Sequence, residues 1–413
     1  MNIDEVSIKN IVFSIDAPKL FGRFLEERFP YAHISFFASL GAGTLAKRYL
    51  DVLKTTGLRV DLVGVGLKGL GSLGDLGKII PHIHEDTRVL VAFGEIELIK
   101  ALKLAAKIRK LPLVVVPTQA MTSEVLLGRV YIEDGGIMRL LECASPSAVF
   151  CDEKLLAHIK EHLLIDATAD LVSQVLTLFD NELSFYINDL IFKLRAEHEE
   201  IVEVALLSVR LLGGAMRGDK AVRVELLTQL MLGAYLVSVL GETGSSARVV
   251  AMLKQVKGSV KDKGLVKLAC SGLLTKLYRL YLTWPYSERM CDISLRCTFL
   301  HTYFNETYVH KMAKDICKTQ ELVAILHKYS QPLIEKLEKV QMVLEVAGEL
   351  VSLANRTITQ DEFSMSFALS AELATESCML TALRNVGLLD FPLSKGLDRL
   401  SLAMGTRSKS GVA

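Results

Sequence analysis

Residues Arg88 to Glu124 read RVLVAFGEIELIKALKLAAKIRKLPLVVVPTQAMTSE. An apolar, β-rich run from Val89 to Phe93 meets Gly94. Apolar residues then recur at helical spacing through Ile96, Ile99, Leu102, Leu104, Ala105 and Ile108, and a second apolar run, Leu111 to Val116, is closed by Pro117. Strand, helix and strand in this order predict a βαβ unit with parallel strands. Its two loops, one after each strand, are where a nucleotide enzyme would do its work.

Similar strand-like runs fill the first 150 or so residues: Ile11 to Ile15, Ile34 to Ala38, Val60 to Val65, Val130 to Ile132 and Ala148 to Cys151. Helical segments are expected at Gly43 to Thr56 and Asp75 to His84, and Asp134-Gly135-Gly136 is a hairpin signal. Alternation of this kind predicts a parallel sheet covered on both sides. Near residue 153 the texture changes. Long amphipathic segments follow: Ala167 to Phe185, Ile187 to Leu212, Ala221 to Leu240, Ala247 to Val256, Leu265 to Leu282, His310 to Tyr329, Pro332 to Ala354 and Glu362 to Val386. The expected organisation is an α/β, Rossmann-like parallel-sheet domain over 1–152, an all-helical domain over 153–404 and a small polar tail over 405–413. Helix lengths and turn residues vary too much for a repeat array.

The chain has 413 residues and a formal net charge of +1 from 48 basic and 47 acidic residues. It has no overall field to gather nucleic acid or an anionic membrane. The longest uncharged apolar stretch, Leu226 to Gly241, stops short of the roughly 20 residues that span a bilayer. The start, MNIDEVSIKN, lacks the basic and apolar regions of a secretory signal, so a cytoplasmic location is expected. Seven cysteines without a CxxC pair signal neither a disulfide framework nor a zinc ribbon.

The order and wording of the βαβ unit resemble the superfamily of iron-containing alcohol dehydrogenases, glycerol-1-phosphate dehydrogenases and dehydroquinate synthases. The resemblance implies a dehydroquinate synthase-like fold, with a small-molecule or protein ligand in a cleft between the domains; assembly into a homo-oligomer is compatible with it. In that family the first strand ends in a GGGS loop under the NAD pyrophosphate, and the second in a VPTTAS-type loop facing cofactor and substrate. The matching positions here are Ala92-Phe93-Gly94-Glu95 and Val116-Pro117-Thr118-Gln119-Ala120-Met121-Thr122. Gly94, Glu95, Thr118 and Thr122 are therefore the cofactor-binding positions, in degenerate form. Glu95 would set a carboxylate beside phosphate, or serve as an acidic residue in the first turn of a helix. The hydroxyls of Thr118 and Thr122 would touch nicotinamide and ribose, or cap a helix. A substrate-contacting aspartate of the family corresponds to Ser123, with Glu124 next to it.

The family's metal site uses a carboxylate early in the helical domain and two later histidines. Ala169-Asp170-Leu171-Val172-Ser173-Gln174 resembles the motif around the carboxylate, which makes Asp170 the matching ligand. The stretch LMLGAYLVSVLGETGSSARVV, from Leu230 to Val250, resembles the next landmark, yet the histidine position falls between Arg248 and Ala251. The last histidine corresponds to Cys270, and no histidine occurs between His198 and His301. A catalytic metal needs three protein ligands and an open position. His301 and His310 lie beyond the expected helix, and His82 and His84 belong to the α/β half. Arg248 is the nearest family-aligned cation that could pair with Asp170.

The expected function is that of a divergent member of this superfamily with lost or much reduced NAD(P)- and metal-dependent activity. An active NAD(P)-dependent alcohol or polyol-phosphate dehydrogenase, of the glycerol-1-phosphate type, is the alternative, with NAD(P) and Zn or Fe as cofactors. A sugar-phosphate cyclase is the second alternative.

Overall fold

The computed structural model describes residues 11–66, 73–134, 137–188, 197–240, 245–257, 260–282 and 328–373. Six parallel strands form the main sheet: β1 (Ile11–Ser14), β2 (His33–Ser39), β3 (Arg59–Val65), β4 (Thr87–Gly94), β5 (Leu113–Pro117) and β8 (Ala148–Asp152), in the order β1-β8-β5-β4-β2-β3. A separate antiparallel hairpin joins β6 (Arg129–Asp134) to β7 (Ile137–Glu142), with Asp134 opposite Ile137, where the Asp-Gly signal lies.

The central strands β4, β5 and β8 are buried along almost their whole length, because helices cover both faces. On one face Ile34, Phe36 and Ala38 of β2, Val89, Val91 and Phe93 of β4, and Val114 and Val116 of β5 form a core with Phe21 and Leu25 of α1 (Ala17–Arg28) and Tyr49 of α2 (Gly43–Leu53). Phe21 meets Phe36, Tyr49 and Phe150 edge to face at centroid distances of 5.2 to 6.4 Å. The helices α1 and α2 come together at Gly22, where a Cβ would lie 2.4 Å from Val52 Cγ1. The opposite face is packed by α4 (Ile96–Arg109), which contacts β4, β5 and α3 (Leu73–Ile79).

β2 leads through α2 to β3 on one side, whereas β4 leads through α4 to β5 on the other. Adjacent strands whose connections run in opposite directions leave a crevice beyond their carboxyl ends. That switch point lies between Ser39 and Gly94.

The short α5 (Ser123–Leu126) comes between β5 and the hairpin, and after β8 the chain is helical: α6 (Glu153–Leu156), α7 (Glu161–Gln174), α8 (Leu176–Asn188), α9 (Glu197–Met216), α10 (Lys220–Leu240), α11 (Ser245–Lys257), α12 (Lys263–Leu282), α13 (Ser330–Val346), α14 (Gly348–Ala354) and α15 (Gln360–Leu373) among the described residues. Asp152 starts this half as an N-cap, its carboxylate accepting from the N–H groups of Lys154 and Leu155. The single helix expected over Ala167 to Phe185 is divided at Val175, and that over Pro332 to Ala354 at Ala347. At Val175 the backbone tightens to bonds three residues apart, without a proline or glycine to announce the break. The histidines His301 and His310, most of the helix expected from His310 to Tyr329, and the part of the last helix beyond Leu373 lie outside the described residues.

The chain divides into two compact units, residues 1–171 with 203–242, and residues 172–202 with 243–413. In the first, α10 packs on α5, and a Cβ at Gly233 would collide with Leu171. In the second, α11 packs on α12 and α15, and α12 on α13 and α14. Two helical stretches, Glu161–Asp180 and Lys220–Val239, are apolar and long enough to cross a bilayer by length and composition; most of the first is buried in protein.

Candidate functional site

The switch-point loop is built around Gly94. A side chain there would place its Cβ 1.8 Å from Ser39 Oγ and 3.1 Å from Leu98 Cδ2, so only glycine lets β2 and β4 end this close together. The Glu95 N–H donates to Ser39 Oγ at 3.2 Å, and the Thr118 N–H donates to the Gly94 carbonyl at 3.0 Å. Ser39 thus takes the first amide at the amino end of α4, one of the donors that a helix start offers to an anion. Glu95 is the N-cap of α4 in extended conformation, with an exposed side chain. Thr122 is the N-cap of α5 and makes no side-chain capping bond. Thr118 and Thr122 are partly exposed in the loop after β5.

Phe93 stands at a glycine position of the family's GGGS loop. It does not add bulk to the loop: alternation along β4 turns its ring into the core, stacked on Phe36 at 5.9 Å and edge-on to Tyr49 at 5.2 Å.

Beneath the second loop, α4 presents two buried lysines that the sequence reading passed over. Lys100, 2% exposed, forms an ion pair with Glu124, and Lys103 Nζ donates to the Glu124 carbonyl at 2.8 Å. Glu124 therefore turns inward, and Ser123 beside it is buried. The pair ties α5, and with it the Pro117 to Thr122 loop, to α4. Their signal in the sequence is the spacing of Lys100 and Lys103 on one helical face.

Burial pulls the Lys103 ammonium down to about 8, with Lys100 acting in the same direction and the Cys143 thiol and Glu124 opposing. Between pH 8 and 10.5 the unfolded chain keeps a proton on this lysine that the folded chain has released, so stability rises with pH across this window. Relative to Lys103→Met, the wild type should gain roughly 3 kcal/mol of unfolding free energy across that window in denaturant titrations. A pH-independent difference would show that Lys103 keeps its charge in the fold.

Of the residues aligned with the metal site, Asp170 is buried in α7 and belongs to the first compact unit; Arg248, partly exposed on α11, and Cys270, buried in α12, belong to the second. Burial pushes the Cys270 thiol up, away from the thiolate a metal requires.

No family model matches the chain. Over 135 residues it is 27% identical to glycerol-1-phosphate dehydrogenase [NAD(P)+] of Methanococcoides burtonii, a match covering 32% of this chain and 37% of that enzyme. Solved structures agree along almost the whole chain. An iron-containing alcohol dehydrogenase of Thermotoga maritima superposes with a TM-score of 0.63 at 13% identity, covering 96% of this chain and 98% of its own. One from Thermococcus thioreducens gives 0.62 at 14% identity with the same coverage. Glycerol dehydrogenase of Schizosaccharomyces pombe gives 0.56 at 15% identity, covering 96% of this chain and 92% of its own. The chain thus has the fold of the iron-containing alcohol dehydrogenases and glycerol dehydrogenases.

Proposed function

We propose that this protein is a divergent relative of those dehydrogenases that has lost, or retains only weakly, their NAD(P)- and metal-dependent chemistry, and that it acts by binding a small molecule or a protein. The observation that carries this reading is the filled glycine position: the space beside Gly94, through which a dinucleotide pyrophosphate would approach the start of α4, holds the Ser39 hydroxyl. A phosphate would have to displace the Ser39 to Glu95 hydrogen bond, worth about 1 kcal/mol, and then lie beside the Glu95 carboxylate. Two unit charges about 4 Å apart repel by ~1 kcal/mol in water and ~4 kcal/mol at an effective dielectric near 20. The repulsion alone weakens binding by roughly fivefold to just under a thousandfold. These residues do not fit the pyrophosphate.

The metal reading points the same way. Asp170 matches a ligand carboxylate, but the aligned histidine positions hold Arg248 to Ala251 and Cys270.

Turnover is the direct test. Purified protein supplied with Zn²⁺ or Fe²⁺ and NAD⁺ or NADP⁺ should reduce no cofactor, or do so far below about 1 s⁻¹, with simple alcohols, glycerol or glycerol 1-phosphate. Steady production of NADH or NADPH with one of these substrates at about 1 s⁻¹ or faster, abolished by Asp170→Ala, would overturn the proposal and establish an active dehydrogenase. The similarity to a glycerol-1-phosphate dehydrogenase favours glycerol 1-phosphate as the substrate in that case.

A further inference from the structure

At the amino-terminal edge of the sheet, opposite the Gly94 loop, two histidines and two aspartates come together from three parts of the chain. His33 opens β2. His84 and Asp86 lie in the turn before β4, closed by the Thr87 N–H bonding to the His84 carbonyl at 3.1 Å. The register between β2 and β4 shifts at this place: His33 is opposite Thr87, but Ile34 is opposite Val89. A bulge of this kind re-aims a side chain and is uncommon between parallel strands. Below it, Ser35 Oγ and Thr87 Oγ1 share a buried hydrogen bond of 2.7 Å that fixes the turn against β2.

The rings of His33 and His84 are brought to a centroid distance of 4.8 Å. His33 Nε2 bonds to Asp61 Oδ2 at 2.7 Å, from the neighbouring strand β3. His84 Nδ1 receives a long bond of 3.3 Å from the Asp86 N–H and lies 3.9 Å from Asp86 Oδ2. One donor atom each from His33, His84 and Asp86 falls within 4.8 Å of the others.

We propose that His33, His84 and Asp86 form a binding site for a divalent transition metal of the zinc class. Two imidazoles and a carboxylate make a donor set of borderline softness, suited to Zn²⁺ and its neighbours and unsuited to Ca²⁺ or Mg²⁺. Ligands about 2.0–2.2 Å from a tetrahedral ion lie about 3.3–3.6 Å apart, so the donor atoms must draw together by roughly 1 Å. The side chains of His84 and Asp86 are 55% and 78% exposed, so small rotations close the remaining gap, while His33, 14% exposed, is the anchored member. Asp61 completes the arrangement, either orienting the His33 ring from behind, as carboxylates do for metal-bound histidines, or joining as a fourth donor. The site lies at the other end of the strands from the Gly94 loop and is independent of the function proposed above.

The test uses the full chain, stripped with chelator and titrated with Zn²⁺ by calorimetry, with Co²⁺ as a spectroscopic probe. The expected result is one Zn²⁺ bound per chain at this site. Affinity should fall at least roughly tenfold in His84→Ala, and roughly tenfold in Asp61→Asn. It should be unchanged in Asp170→Asn, and the Co²⁺ form should show no thiolate charge-transfer bands. His84→Ala alters an exposed turn and leaves the fold intact, so its result is interpretable even if His33→Ala fails to fold. Absence of saturable binding, affinity equal in wild type and His84→Ala, or thiolate bands would overturn the proposal. Loss in Asp170→Asn with retention in His84→Ala would also overturn it, and would place the ion at the dehydrogenase-type position instead.

Discussion

Replacing Glu124 by glutamine is expected to lower the free energy of unfolding by about 3–5 kcal/mol, the cost of leaving a buried charge without its partner. Lys100 is 2% exposed and Glu124 is 22% exposed, so the lysine carries most of the lost solvation and the carboxylate offsets it. Glutamine keeps the shape and removes the charge. The Lys100→Met, Glu124→Gln double mutant should recover much of the loss, since an apolar side chain of similar volume needs no counter-charge. Guanidinium titrations of the wild type and the two variants measure both effects. A loss below about 1 kcal/mol in Glu124→Gln would show that Glu124 is not the group that holds Lys100, and that the loop after β5 is anchored in another way.

Phe93→Ala should be as damaging, at about 3–5 kcal/mol, because the ring is fully buried among Phe36, Tyr49 and the strands around it. It should also leave nucleotide affinity unchanged. This second part separates two readings of the position. Aligned with a glycine-rich loop, Phe93 looks like an obstruction to phosphate; in the fold it supports the strand from below. Tighter NADH binding in Phe93→Ala would return the ring to the mouth of the site.

Phe93 also marks where the sequence stops being readable. The parallel sheet was legible because buried parallel strands are written as continuous apolar runs, and Val89 to Phe93 and Leu111 to Val116 cannot be mistaken for surface. The order of sheet followed by helices was equally plain in the change of texture near residue 153. The division at Val175 was not, because no helix breaker lies there and the break depends on packing, whereas at Ala347 the adjacent Gly348 was the available signal. In the site, a single strand shows which residues alternate, but alignment with the family placed Phe93 by position instead of by face. Ser39 escaped notice because its role depends on a neighbour far along the chain: the β2 end meets Gly94 only once β4 has been inserted beside β2. The same holds for His33, which reaches the His84 turn through the bulge, whereas the sequence drew attention to His82 and His84 as a local pair. Lys100 and Lys103 read as the polar face of a helix, and the return of Glu124 onto α4, with Cys143 and Ala144 beside Lys103, is what buries them.

Calorimetric titration of NADH and NADPH into the wild-type protein and Glu95→Ser tests the closed loop most directly. The wild type should give no saturable heat at nucleotide concentrations up to roughly millimolar, and Glu95→Ser should bind more tightly than the wild type. A wild-type dissociation constant of roughly micromolar strength for either nucleotide would show that the Ser39 to Glu95 bond opens readily to admit phosphate, and would contradict the proposed loss of the dehydrogenase cofactor site.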